Sequence, residues 1–392
     1  MKILSVNAGS SSLKFTAYEM PEEEVLISGV FERIGMEESF YTVKFNGEKI
    51  KKEVELPDHK AAFEILMEEL KDNGVVKSYD EIKGIGHRVA QGGSYFEKTV
   101  VIDEEVIAQI DELSAIAPLH NPPAIVGIRA AQAVVPKATM TAVFDTAFHQ
   151  TMAEETYLYA LPYEWCEEYQ IRKYGFHGTS HKYVASRMNE ILGRYNTKLI
   201  TCHIGNGASI SAIEEGRCIN TSMGLTPNAG LIMGTRCGDI DATIIPYMMG
   251  KLKISAKQMD EILNKKSGLL GISGESSDSR DIEDGINRGS ERCILAQKMY
   301  VRRIIDYIAK YYVELGGCDA IVFTAGVGEN SIHTRREVMD GLKALGVEID
   351  AEANNIRGEE RLLTTENSKI PCYVIPTNEE LMIARDTYDL SK

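Results

Sequence analysis

Lys2-Ile3-Leu4-Ser5-Val6-Asn7-Ala8-Gly9-Ser10-Ser11-Ser12-Leu13-Lys14 decides the fold. Lys2–Val6 reads as a buried strand, Asn7–Ser12 as a turn of small residues, and Leu13–Tyr18 alternates as a second strand, which together predict a β-hairpin. The pattern returns at Lys198-Leu199-Ile200-Thr201-Cys202-His203-Ile204-Gly205-Asn206-Gly207, followed by an alternating Ser209–Glu214. The two copies start near residues 1 and 198 of 392, so the chain reads as two similar halves with a boundary near Asp145–Gln150. Around the hairpins, strands and helices alternate, the mark of an α/β protein. Asp58 and Ser255 stand where they would cap helices, a long helix is predicted from about Ser290 to Leu315, and a last helix starts after Asn378 with Glu379 in its first turn.

Composition narrows the function classes. Lys plus Arg is 43 and Asp plus Glu is 58, a net charge of −15. A nucleic-acid partner needs a concentrated basic face, so none is expected. An acidic chain that handles phosphate must build its positive site locally. Apolar content of 44% and charged content of 26% are those of a globular protein. No apolar run approaches the ~18 residues of a membrane span, and Met1–Asn7 is too short an apolar run for a signal peptide. The seven cysteines are spread singly, without a C-x-x-C pair, which predicts reduced thiols in a cytoplasmic protein.

The chemistry-bearing residues cluster at strand ends. Asn7–Ser12, Gly205–Gly207 and Gly326–Asn330 are small-residue turns after apolar strands, where successive backbone N–H groups can hold an anion. Ser10, Ser12 and Lys14 add hydroxyls and a charge. None of these turns is a P-loop, and none completes the dinucleotide fingerprint. Arg88 in Gly86–Gly93 and Arg236 in Gly234–Gly238 lie between glycines and offer bidentate forks for carboxylate or phosphate. Asp145 ends an apolar strand, either as an active-site carboxylate or as a turn cap. His177, set between glycines before a helix, is either a donor to a transferring group or structural. His120 sits in a proline turn. On the residues alone, Glu379 does no more than complement a helix dipole.

Taken together, Val6–Lys14, Gly86–Val89, Ala117–Pro123, Phe144–His149, Tyr174–His181, His203–Ser209, Met223–Gly238, Thr324–Ser331 and Pro376–Glu380 resemble the acetate kinase family in order and spacing over the whole chain. The resemblance implies two duplicated domains of the actin-like ATPase (ribonuclease H-like) type with an interdomain active-site cleft. These are an N-terminal domain over 1–147, on which the helix about 380–392 packs back, and a C-terminal nucleotide-binding domain over 148–379. It implies a cytoplasmic homodimer that transfers the γ-phosphoryl of ATP reversibly to acetate. Mg²⁺ is the metal, with Mn²⁺ as substitute, at Asn7 and Glu379. Asp145, His177 and Arg236 would be catalytic. Arg88 would hold the acetate carboxylate, with Ala90, Leu119, His120, Phe176 and Pro227 around the substrate. ATP would contact Ser10, Ser12, Lys14, His203, Ile204, Gly205, Asn206, Gly207, Asp278, Ser279, Arg280, Gly326, Val327, Gly328, Glu329 and Asn330.

The sequence departs from the family at Ala90-Gln91, where Val-His is common; the smaller residue would enlarge the methyl pocket and admit propionate. Propionate kinase is therefore the alternative within the class. Outside it stand a nucleotide-gated actin-like ATPase, which needs no arginine clamp for a second substrate, and a sugar kinase, whose neutral hydroxyl acceptor two arginines match poorly.

Overall fold

A computed structural model describes all 392 residues. The chain divides into one unit of Met1–Gln150 with Asn378–Lys392 and a second of Thr151–Thr377.

The first unit holds strands β1 (Lys2–Ala8), β2 (Ser12–Glu19), β3 (Glu24–Glu32), β4 (Phe40–Phe45), β5 (Glu48–Glu53), β6 (Ile82–Val89), β7 (Val100–Val101) and β8 (Thr139–Phe144). They form one mixed sheet in the order β5-β4-β3-β2-β1-β6-β8-β7. The second unit holds β9 (Lys198–Ile204), β10 (Ala208–Glu214), β11 (Arg217–Thr221), β12 (Ala320–Thr324), β13 (Arg361–Leu362) and β14 (Cys372–Val374), in the order β11-β10-β9-β12-β14-β13. The predicted hairpins are β1–β2 and β9–β10, both antiparallel. The repeat runs further than the sequence shows. In each unit the hairpin's first strand also pairs in parallel with a later strand, β6 or β12. That strand pairs in parallel with another, β8 or β14.

Apolar residues on these strands bury against helices. In the first unit Phe63, Leu66 and Leu70 of the helix His59–Asp72 pack into the core with Leu13 and Phe15. Asp58 starts that helix by accepting from Ala61 N–H at 2.8 Å, a cap worth about 1 kcal/mol. In the second unit the helix Glu291–Glu314 buries Ala296, Tyr300, Ile304, Ile308 and Tyr311, one stripe at helical spacing. Full burial of each such aliphatic side chain contributes roughly 1.5–3 kcal/mol. One expectation fails locally: the small residues after β12 form a short helix, Ala325–Asn330, in place of a turn.

The helix Glu379–Leu390 lies on β6. The approach is so close that a Cβ on Gly84 would come within 2.4 Å of Ser391 Oγ, and one on Gly86 within 2.5 Å of an Ile383 methyl. Thr141 and Thr387 share a buried hydrogen bond of 2.7 Å beneath the helix. His87, the residue after Gly86 on β6, is 2% exposed and its Nε2 has no partner. Burial lowers its pKa to about 3. Between pH 6.5 and 3 the unfolded chain takes up a proton at His87 that the folded chain refuses, so this residue makes stability fall as pH falls. From pH 7 to pH 5 the loss amounts to about 2 kcal/mol, at ~1.4 kcal/mol for each pH unit below the ordinary histidine pKa. Urea unfolding at both pH values should show His87→Phe losing that much less than the parent; equal losses would mean that His87 titrates normally.

Candidate active site

Parallel pairing builds one group of candidate residues, within the first unit. The register Arg88↔Val143 and Val89↔Phe144 brings the carboxyl ends of β6 and β8 side by side, where open α/β sheets place their active groups. Asp145 N–H donates to Val89 C=O at 2.9 Å, which fixes the residue just past β8. Its carboxylate, 2% exposed, accepts from Arg88 Nε at 3.0 Å and from Nη2 at 2.5 Å. The bidentate geometry holds Arg88 charged, chiefly through the field of Asp145. Asn7 stands opposite Lys14 in the β1–β2 register, and Lys14 pairs with Glu380.

The helix Glu379–Leu390 begins here, capped by Asn378 Oδ1 accepting from Leu381 N–H at 3.0 Å. Burial raises the pKa of Glu379 to about 7; Arg88 and Lys14 oppose the rise, and Asp145 and Glu380 add to it. A carboxyl crowded by like charge and short of water is a natural ligand for a hard divalent cation, which takes oxygen donors.

Another group, within the second unit, gathers around the second hairpin. Gly205–Gly207 turns tightly between β9 and β10, with Gly205 N–H donating to Gly207 C=O at 3.1 Å. The register Thr324↔His203 places the start of Ala325–Asn330 beside this turn; a Cβ on Gly205 would sit 3.7 Å from Ala325 Cβ. Gly205, Asn206, Asp278, Ser279, Arg280, Gly326, Val327 and Asn330 line a cavity of about 680 Å³, within the size range of small-molecule sites. Asp278 caps the helix Ser279–Asn287 and forks Arg280.

His177 is the residue before the helix Gly178–Leu192, at φ +59° in the left-handed region. Its Nδ1 meets Ser209 Oγ at 2.9 Å and its ring stacks on His203, centroids 4.0 Å apart. A Cβ on Gly207 would lie 3.3 Å from Arg236 Nη1 and 3.6 Å from His177 Nε2, so both groups converge on the glycine turn. Arg236 differs from Arg88. Its Nη1 donates to Pro227 C=O at 3.1 Å, no carboxylate pairs with it, and burial alone lowers its pKa. A half-buried guanidinium left unmatched by the protein is suited to an anion brought in from outside.

The remaining expected residues have these places in the structure. The family resemblance assigns Glu329 to ATP, but its carboxylate is engaged by the protein, accepting from Ala325 N–H at 2.7 Å and Thr377 N–H at 3.1 Å. Ile204 is 1% exposed in the core, and Gly328 is buried with its carbonyl accepting from Arg335. His203 and Gly207 belong to the histidine–arginine cluster and do not line the cavity. Ser10, Ser12 and Lys14 belong to the first unit, as do Ala90, Leu119 and His120. Leu119, expected to wall a methyl pocket, is 69% exposed on the turn before the helix Asn121–Val134, and His120 is exposed with it. Phe176, 5% exposed, packs in the second core.

Sequence reasoning gave no place in the cavity wall to Gly234, Glu283, Tyr300, Ser331 and Arg357. It also gave no role to His181 and Ser209, although both fall in stretches that carry the family resemblance. Gly234 carried a signal as one of the glycines that flank Arg236, and in the structure any side chain there would strike Asn206.

The Acetokinase family model matches residues 2–385. An acetate kinase of Bacillus cytotoxicus is 54% identical over 391 residues, spanning 99% of this chain and 98% of the relative. A crystal structure of Porphyromonas gingivalis acetate kinase superposes with a TM-score of 0.95 at 46% identity, covering 100% of both chains. A propionate kinase from Francisella tularensis gives a TM-score of 0.93 at 41% identity, covering 99% of both. A match from residue 2 to residue 385, with relatives identical at more than half of all positions, leads to one conclusion: the chain belongs to the acetokinase family.

Proposed function

We propose that this chain is an acetate kinase that transfers the γ-phosphoryl group of ATP to acetate in a reversible, Mg²⁺-dependent reaction. Its products are acetyl phosphate and ADP. The observation that carries the reading is the convergence of His177 and the unmatched Arg236 on the glycine turn Gly205–Gly207, beside a cavity of nucleotide size.

Acetate is ionised at pH 7, as carboxylates are, and needs no strong general base. One carboxylate oxygen forms a bond to the γ-phosphorus while the bond from that phosphorus to the leaving ADP oxygen breaks. Catalysis then reduces to alignment and charge neutralisation. Gly205, Asn206, Asp278–Arg280, Gly326, Val327 and Asn330 bind the nucleotide. Arg236 and His177 neutralise charge on the phosphoryl oxygens in transit. Arg88 draws in the acetate carboxylate with the N–H groups that Asp145 leaves unused. Asp145 orients Arg88 and does not take a proton from substrate. Asn7 and Glu379 hold Mg²⁺, consistent with the crowded, desolvated carboxyl at Glu379. When bound, the metal supplies positive charge to the nucleotide phosphates.

The same reading takes the protein as a cytoplasmic homodimer without nucleic-acid or membrane partners. A net charge of −15 supports the first exclusion, and no helix is long and apolar enough to cross a membrane.

Hydroxamate trapping of acyl phosphate, with ATP and Mg²⁺ against acetate, propionate and butyrate in parallel, tests the function. Acetate should give the strongest signal and propionate a measurable one, because Ala90 stands where the family commonly has Val. One methylene discriminates by only about 1–3 kcal/mol in an apolar pocket, so Ala90→Val should lower the propionate-to-acetate ratio of kcat/KM about tenfold. Propionate at or above acetate would make the chain a propionate kinase. No acyl phosphate from any of the three acids would end the kinase reading.

A further inference from the structure

Behind His177 runs a buried chain of side chains that the proposed chemistry does not touch. Thr201 Oγ1 lies 2.7 Å from His181 Nδ1, His181 Nε2 lies 2.8 Å from Ser209 Oγ, and Ser209 Oγ lies 2.9 Å from His177 Nδ1. Thr201, His181 and Ser209 are each 0% exposed. They come from β9, the helix Gly178–Leu192 and β10, so three elements of one unit fix the chain's geometry.

Proton counting gives the chain a direction. A neutral imidazole has one donor and one acceptor nitrogen, and a hydroxyl has one proton. Ser209 Oγ bonds to two imidazoles, so it donates to one and accepts from the other. Two polarities satisfy the interior of the chain, and its far end chooses between them. The Thr201 hydroxyl makes its one side-chain hydrogen bond to His181 Nδ1. Were it to accept there, its own proton would be buried without a partner, a loss of about 1–3 kcal/mol. Thr201 therefore donates to His181 Nδ1, His181 Nε2–H donates to Ser209, and Ser209 donates to His177 Nδ1. The remaining proton of His177 sits on Nε2, the nitrogen that faces the Gly207 turn beside Arg236.

We infer that Thr201, His181 and Ser209 are positioning residues that lock His177 in the Nε2–H tautomer, so that it presents a donor and never a lone pair to an anion at the glycine turn. With the opposite tautomer, a lone pair would face the phosphoryl oxygens and repel them. The inference rests on the proposed phosphoryl transfer for its purpose, but the tautomer itself is a property of the free protein.

The test uses the full chain with ¹⁵N-labelled histidine. In the parent, His177 should show the protonated Nε2 and unprotonated Nδ1 signature by NMR. Thr201→Val, which keeps the shape and loses the hydroxyl, should move His177 toward a tautomer mixture, and Thr201→Ser should restore the parental signature. Kinetically, Ser209→Ala and Thr201→Val should each lower kcat about tenfold or more, by analogy with the loss of hydrogen-bond partners that orient metal-bound imidazoles, with KM for ATP and acetate within twofold. The double variant should be no slower than Ser209→Ala alone, since a chain cut once is already cut. A purely structural role predicts additive losses and no tautomer shift. An Nδ1–H signature in the parent, or a Thr201→Val enzyme with parental kcat, would overturn the inference. A parent with the expected tautomer but no acyl phosphate formation would instead uphold the chain and sink the kinase reading.

Discussion

Arg236→Ala is expected to lower kcat by on the order of 10²–10³, the usual loss when one preorganised donor to a developing charge is removed, while KM for ATP moves only a few-fold. The fold should not suffer. Arg236 is a half-buried cation whose pKa is lowered by burial and which no carboxylate matches. The parent therefore bears a desolvation cost that the variant sheds, and thermal unfolding without ligand should occur at the same temperature or higher. Loss of activity with unchanged or raised stability is the signature of a charge kept for a ligand. The assignment is falsified if kcat is unchanged, and a large fall in melting temperature would make Arg236 a structural residue.

Arg88→Ala should behave in the opposite way. Its partner Asp145 is 2% exposed and is held by two hydrogen bonds from Arg88. Removing the guanidinium leaves a buried carboxylate beside Glu379, whose own pKa is already pushed up to about 7. Breaking a buried pair from one side costs about 3 kcal/mol or more. Denaturant unfolding should show that loss, and Arg88→Ala/Asp145→Ala should recover most of it by removing the stranded charge as well. Activity should stay at least 10² below the parent in both, because the acetate clamp is absent from each. A stable single variant would show that the pair contributes nothing to folding. A double variant no more stable than the single would show that Asp145 has other partners.

The two arginines also mark what a sequence can and cannot say. Each sits between glycines, and on the residues alone both read as forks for a planar anion. The difference lies in strand register: β6 and β8 pair so that Asp145 meets Arg88, whereas no element brings a carboxylate to Arg236. The hairpins were legible because their signal is local: a short, largely buried run on either side of a turn of small residues. The caps at Asp58 and Ser255 were legible for the same reason, since each acts within three residues of itself. The helix Ala325–Asn330 was not legible. Its glycines read as a turn, and the groups that occupy its Glu329 carboxylate include Thr377 N–H, distant in sequence. The ordering of His177 lay hidden too, because Thr201, His181 and Ser209 become a chain only once β9, β10 and a helix are packed.

The glycines at 84 and 86 have a consequence for how the molecule is made. They leave β6 with a bare track on which the helix Glu379–Leu390 lies. On the ribosome, β1 to β8 emerge early, and that helix is the last element of the order to appear. Meanwhile the unit Thr151–Thr377, uninterrupted in sequence, can complete its own core. The nascent first unit must wait with apolar strand surface open, a species that invites chaperones and aggregation. The N-terminal half of the polypeptide is thus the later half to mature, and Glu379 arrives with the segment that closes it. Shortened chains from interrupted translation would lack that cover and, with it, a ligand proposed for the metal.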